Sequence, residues 1–177
     1  MEEAARHQLL WTARQAAGGR GRRPAHTDEL RRWCGMMIDA ILAFHDDLTE
    51  LPGPHARSWQ LGLASATERC LRPLTGGLPA RRWLVHARHR TQTRPHPTLD
   101  RRIYESWIPH LTAALRGLIG EAAAAAGQAK RARQPAAMTH LLRARHNLQH
   151  ACRHLNQRGH SDNVPSPTPL RNAAGER

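Results

Sequence analysis

The stretch from Thr27 to Leu51, TDELRRWCGMMIDAILAFHDDLTEL, decides the fold class. Leu30, Cys34, Met37, Ile41, Phe44, Leu48 and Leu51 follow one another at alternating steps of four and three. Such steps return to the same side of an α-helix, so these apolar side chains form one stripe. Trp33, Ile38 and Leu42 widen the stripe, which suits a bundle helix better than the narrow seam of a coiled coil. Thr27 is placed to cap this helix, Asp28 and Glu29 complement its positive end, and Pro52-Gly53-Pro54 stops it.

The same spacing recurs along the rest of the chain. Trp59, Leu63, Ala66 and Cys70 predict a helix from Ser58 to Arg72, with Pro73 ending it. A turn, Thr75-Gly76-Gly77-Leu78-Pro79, leads to a short helix from Ala80 to Thr91 in which Trp83, Leu84 and Ala87 face inward among arginines and histidines. From Thr98 to Arg133 a further stripe runs through Tyr104, Ile108, Leu111, Leu115, Leu118, Ala122 and Ala125, with a kink or break expected near Trp107 because Pro109 lacks a backbone donor. Gly117, Gly120 and Ala124 are expected to admit a neighbouring helix. The last helix is read from Ala136 to Arg158, with Met138, Leu141, Leu148, Cys152 and Leu155 inward and Gly159 as its cap. Leu142 and Arg143 sit in a good helical run, so one continuous helix is expected here and not a helix-turn-helix. The five tryptophans recur at even spacing, but their surroundings do not repeat, so they read as packing residues.

The expectation is an all-α protein: an antiparallel bundle of four to five amphipathic helices over residues 27–159. Residues 1–26 read as a short helix and a basic linker, Gly18-Gly19-Arg20-Gly21-Arg22-Arg23-Pro24, and residues 160–177 as a disordered proline-rich tail. A chain of 177 residues has room for one core of this kind.

Charge is the second strong signal. Arg and Lys number 27 against 14 Asp and Glu, a formal charge of +13 with His neutral, and Lys130 is the only lysine. Heavy Arg and Ala use can follow from coding bias alone, so the charge excess carries the inference and the choice of Arg does not. Such an excess attracts phosphate or acidic partners. The charge is also segregated: Asp28, Glu29, Asp39, Asp46, Asp47 and Glu50 gather in the first long helix, whereas Arg69 to Leu99 and Ala122 to Ser161 contain no carboxylate. Segregation serves either phosphate binding or attraction between an acidic helix and basic ones inside the fold.

The last helix places His146, His150 and His154 at four-residue steps, opposite Leu141, Leu148 and Leu155, so the imidazoles are expected to face solvent. His140, Arg143, Asn147, Arg153, Gln157 and Arg158 join them on the polar face. Arg143, His146, His150, Arg153, His154 and Arg158 are therefore the candidate nucleic-acid-binding residues. A helical His pair can also chelate zinc, nickel or copper, but no Glu has a His three residues later and no His-Glu-x-x-His occurs, so no metal site and no cofactor are expected.

No catalytic residue is expected either. The chain has no Gly-x-Ser-x-Gly elbow and no phosphate-cradling glycine loop, and His45-Asp46-Asp47 are adjacent positions that point different ways on a helix. Cys34, Cys70 and Cys152 form no CxxC pair and replace aliphatic residues on inward stripes, so they read as reduced, inert thiols. No run of about 20 apolar residues exists to span a bilayer, and Met1-Glu2-Glu3 opens no cationic leader, so a cytoplasmic protein is expected. The function expected is a non-enzymatic accessory or regulatory protein that binds nucleic acid. The partner expected is nucleic acid or an acidic protein; the alternatives are a protein-protein adaptor, whose acidic first helix or exposed aromatics meet another subunit, and, below it, a histidine metal-binding protein.

Overall fold

The computed structural model describes residues 27–93 and 99–161 and, among these, all side chains except those of 99 and 154–161. Five helices account for nearly all of them: α1 Thr27–Thr49, α2 Ala56–Thr75, α3 Ala80–Gln92, α4 Leu99–Arg131 and α5 Pro135–Ser161. There is no strand among the described residues, and the protein is an all-α bundle. None of these helices is long and apolar enough to cross a membrane. The expected N-terminal helix, its basic linker and the proline-rich tail beyond Ser161 lie outside the described residues.

Helix α1 is the platform, in contact with each of the other four. Its predicted stripe is buried along its whole length, Leu30, Cys34, Met37, Ile41, Phe44 and Leu48 being almost fully enclosed. The contacts fix the directions. Arg31 donates to the Thr91 carbonyl, Arg88 pairs with Asp39 and Arg81 with Asp46, so α3 runs antiparallel to α1. Cys34 lies against the Tyr104 carbonyl and Met37 against Thr112, so α4 runs with α1. A tight turn at 132–134 sends α5 back along α4. Arg133 takes the left-handed conformation there (φ 54°), while the Arg133 and Gln134 N–H groups reach the Lys130 and Ala129 carbonyls at 3.1 and 2.9 Å. That double closure is the usual way to satisfy a helix C-terminus, although glycine normally holds the left-handed position. Pro135 then opens α5 where its missing donor is not needed.

Helix α2 departs from the simple up-and-down order. Its Gln60 reaches the Leu48 and Thr49 carbonyls at the end of α1, and its Glu68 accepts from the first N–H of α3, whose Arg81 is bonded to Asp46 near that same end. Helix α2 therefore lies across the end of α1 and packs mainly on α4.

Two expected helix ends are corrected, and of the kink or break expected near Trp107 the break does not occur. Pro73 lies inside α2, which runs on to Thr75 and closes at Gly76 (φ 56°). Leu71, Leu74 and Thr75 remain packed on the core side across it, and this burial outweighs one lost backbone bond. Pro109 lies inside an unbroken α4, because Tyr104 before it and Leu111, Leu115 and Leu118 after it share one buried stripe. Gly159 is a helical residue in α5 and not its cap, since glycine permits the left-handed turn without requiring it. The close approach expected at Gly117 is present, with a Cβ there falling 2.9 Å from Cys70 Sγ, but nothing lies within 4 Å of the corresponding position at Gly120 and Ala124 is exposed.

Candidate nucleic-acid interface

Helix α5 is set in the bundle by Ala137, Leu141, Ala144 and Leu148, all buried. Their spacing turns Arg143, His146, His150 and Arg153 outward, and each is exposed. Four of the six candidate residues thus share one exposed stripe, at steps of three, four and three. His154 and Arg158 belong to the same continuous helix, but their side chains lie outside the described residues.

One residue assigned to the polar face does something else. His140 is only 9% exposed, tucked against the end of α1. Its Nε2 lies 2.6 Å from the Asp47 carbonyl and its Nδ1 3.2 Å from an Arg143 guanidinium nitrogen. A carbonyl only accepts, so Nε2 carries the hydrogen and Nδ1 accepts from Arg143. The cause is visible in α1. The last four carbonyls of a helix have no partner inside it, and Asp46, Asp47 and Glu50 add negative charge where the helix dipole is already negative, with no basic residue in the last turn. Side chains supply donors: the helix's own Thr49 Oγ1 for Asp46 and, from other elements, His140 for Asp47 and Gln60 for Leu48 and Thr49. The acidic run at the end of a helix without cations was the sequence signal for this cap. Which residues answer it depends on packing between elements.

The two acid-free stretches use their cations differently. In the first, Arg69 pairs with Glu121 at 3.0 Å, Arg81 with Asp46 at 3.3 Å, Arg88 with Asp39 at 2.8 Å and Arg90 with Asp100 at 2.7 Å. In the second, no carboxylate among the described residues lies in ion-pair range of Arg143, Arg145 or Arg153. Arg145 is half-buried and its Nε has no hydrogen-bond partner. The contacts between α5 and the acids of α1 are neutral donors on one residue, His140 on the Asp47 carbonyl and Asn147 on its carboxylate at 3.4 Å. A shallow cleft of about 410 Å³ opens beside them, lined by Pro135, Ala136, Thr139, His140 and Arg143.

His45, Asp46 and Asp47 diverge: burial and the Arg81 charge push the His45 imidazole down, Asp46 pairs with Arg81, and Asp47 serves α5. Burial pushes the Cys34 thiol far up, and it raises Cys70 and Cys152 as well, so none of the three is an activated thiolate. Among the described residues no three His, Cys, Asp or Glu side chains gather as a metal site. Comparison with protein-family models, curated proteins and solved structures finds no match.

Proposed function

We propose that this protein is a non-enzymatic nucleic-acid-binding accessory or regulatory protein whose α5 face, Arg143, His146, His150 and Arg153 continuing to His154 and Arg158, lies along a phosphate backbone. The observation that supports this reading is the lack of internal neutralisation: the arginines around α3 are largely satisfied by carboxylates of the fold, and those described on α5 are not. Guanidinium groups on an exposed helix face bind phosphate oxygens and release counterions, which gives affinity with little sequence preference. The adaptor reading loses one of its supports, because Asp39, Asp46 and Asp47 on the acidic helix are engaged within the molecule.

The test is fluorescence anisotropy with a labelled mixed-sequence single strand at low salt. Replacing Arg143, Arg153 and Arg158 together by Gln keeps helix propensity and removes three charges. The variant is expected to bind at least about tenfold more weakly, as roughly 0.5 kcal/mol or more per lost phosphate contact implies. The control replaces Arg57, Arg72 and Arg102, exposed arginines of α2 and α4, and equal losses in the two variants would reduce the interface to bulk charge.

A further inference from the structure

Helices α2 and α3 are joined by only Gly76, Gly77, Leu78 and Pro79, with both glycines at positive φ, 56° and 91°. The junction is braced twice, by the Leu78 N–H on the Thr75 carbonyl at 3.0 Å and by the Ala80 N–H on both Glu68 carboxylate oxygens at 2.9 and 3.0 Å. Because α2 lies across the end of α1 while α3 runs back along it, the two helices cross at this turn. Two crossing helices joined by a short glycine turn form the device by which the second helix is presented to a nucleic-acid groove.

The three sides of α3 have distinct uses. Ala80, Trp83, Leu84 and Ala87 are buried, and Trp83 meets Trp107 of α4 edge-on at 5.2 Å between ring centres. Arg81 and Arg88 on the flank are tied to Asp46 and Asp39 of α1. Arg82, Val85, His86 and His89 are left on the outward side, at spacings of three, one and three that form a single stripe. All four are exposed, and Val85 is 54% exposed with nothing in the core to explain a β-branched apolar residue there. No carboxylate lies anywhere in the sequence from Arg69 to Leu99, and Arg82, His86 and His89 have no ion-pair partner among the described residues.

We propose that α3 is a reading helix that enters the major groove of duplex DNA, with Arg82, His86 and His89 toward base edges and phosphates and Val85 against a thymine methyl. The chemistry of the stripe favours this occupant. A side chain at Arg82, in the first turn, can reach the guanine O6 and N7 acceptors, imidazoles reach the same acceptors, and an exposed branched hydrocarbon among cations matches the one apolar group the groove displays. A B-form major groove admits a helix, whereas that of double-stranded RNA is too deep and narrow. The proposal rests on reading the protein as a nucleic-acid binder and adds the kind of nucleic acid and a second element that contacts it.

The experiment measures anisotropy with three probes: a mixed-sequence DNA duplex two helical turns long, the same duplex with every cytosine replaced by glucosylated 5-hydroxymethylcytosine, which fills the major groove, and a single strand of the same sequence. The native protein is expected to lose about tenfold or more in affinity on the filled duplex, as removal of even one good base contact implies. The R82Q/H86Q/H89Q variant, checked for unchanged helicity, is expected to lose a similar factor on the plain duplex and to bind the single strand as the native protein does. Equal binding of the native protein to both duplexes overturns the reading helix, whatever the variant does. So does a variant loss as large on the single strand as on the duplex. The α5 interface stands or falls separately, on the single strand and the Arg143, Arg153 and Arg158 variant, and absence of binding to every probe removes both.

Discussion

Helices α3 and α5 are both basic, both lie in acid-free sequence and both pack an apolar face on the bundle beside the acidic helix α1, yet their polar side chains meet α1 in different ways. Helix α3 adds to its buried Ala80, Trp83, Leu84 and Ala87 two exposed ion pairs, Arg81 to Asp46 and Arg88 to Asp39. Helix α5 is attached by apolar burial and a nearly enclosed neutral hydrogen bond from His140, and its outward arginines meet no carboxylate among the described residues. An exposed ion pair adds little stability but cancels local charge, whereas a buried neutral bond adds stability and leaves the charge of the surface intact. Charge segregation along a chain thus has two uses at once, and only the uncancelled part is available to a partner.

The comparison depends first on α1 as the common platform. Ile41 is fully buried between the helices it holds, so Ile41→Asp places an unpaired charge in the core and is expected to cost about 4 kcal/mol or more, enough to unfold a marginal domain. Far-ultraviolet circular dichroism reads this directly, and retention of the native melting curve would show that α1 is not the platform.

Removing the neutral bond comes next in size. His140→Ala takes a donor from the Asp47 carbonyl and leaves a void, for an expected loss of about 2 kcal/mol, or roughly 4–8 °C in a domain of this length. The glycines of α4 sharpen the packing side of the argument. Gly117→Ala meets Cys70 Sγ and is expected to destabilise by about 1 kcal/mol, while Gly120→Ala meets nothing and is expected to stabilise by about as much through helix propensity. Equal effects at the two positions would mean that α2 and α4 do not approach as closely as described.

The smallest effects belong to the charged side of α1. Asp39→Asn breaks the exposed pair with Arg88 and is expected to change stability by about 0.5 kcal/mol or less, well below His140→Ala in the same thermal melts. At His45, burial first and the Arg81 charge second lower the imidazole from its ordinary 6.5, so the unfolded chain takes up the proton more readily. The stability it contributes is complete above about 6.5 and is lost as the pH falls from there through the lower folded value. Melting temperatures measured between about pH 7.5 and pH 5 should therefore fall less steeply in His45→Gln than in the parent.

Much of this arrangement is legible in the sequence, for physical reasons that differ by element. The α1 stripe and the outward face of α5 follow from the helical period, which acts locally and survives folding. The helix ends read at Pro73 and Gly159 are absent, and α4 is continuous through Pro109, because a local preference competes with burial, and burial depends on partners far away in the chain. His140 reads as a surface residue because no local signal says that the carbonyl end of α1 lies over it. The crossing of α2 over that same end, and with it the presentation of α3, is likewise invisible in a periodicity. Acid-free stretches are plain in the sequence, but which arginines the fold neutralises is settled only by contacts such as Arg88 with Asp39, dozens of residues apart.

The claim that the unpaired arginines of α5 form the phosphate-binding face is tested by the salt dependence of single-strand binding. Affinity is measured by anisotropy across a salt series for the parent, for the variant with Arg143, Arg153 and Arg158 replaced by Gln, and for the control with Arg57, Arg72 and Arg102 replaced. Because each phosphate contact contributes about 0.7 to the slope of log affinity against log salt on a single strand, loss of three is expected to flatten the slope by about 2 in the α5 variant and to leave the control near the parent. Identical slopes for all three proteins would contradict the claim.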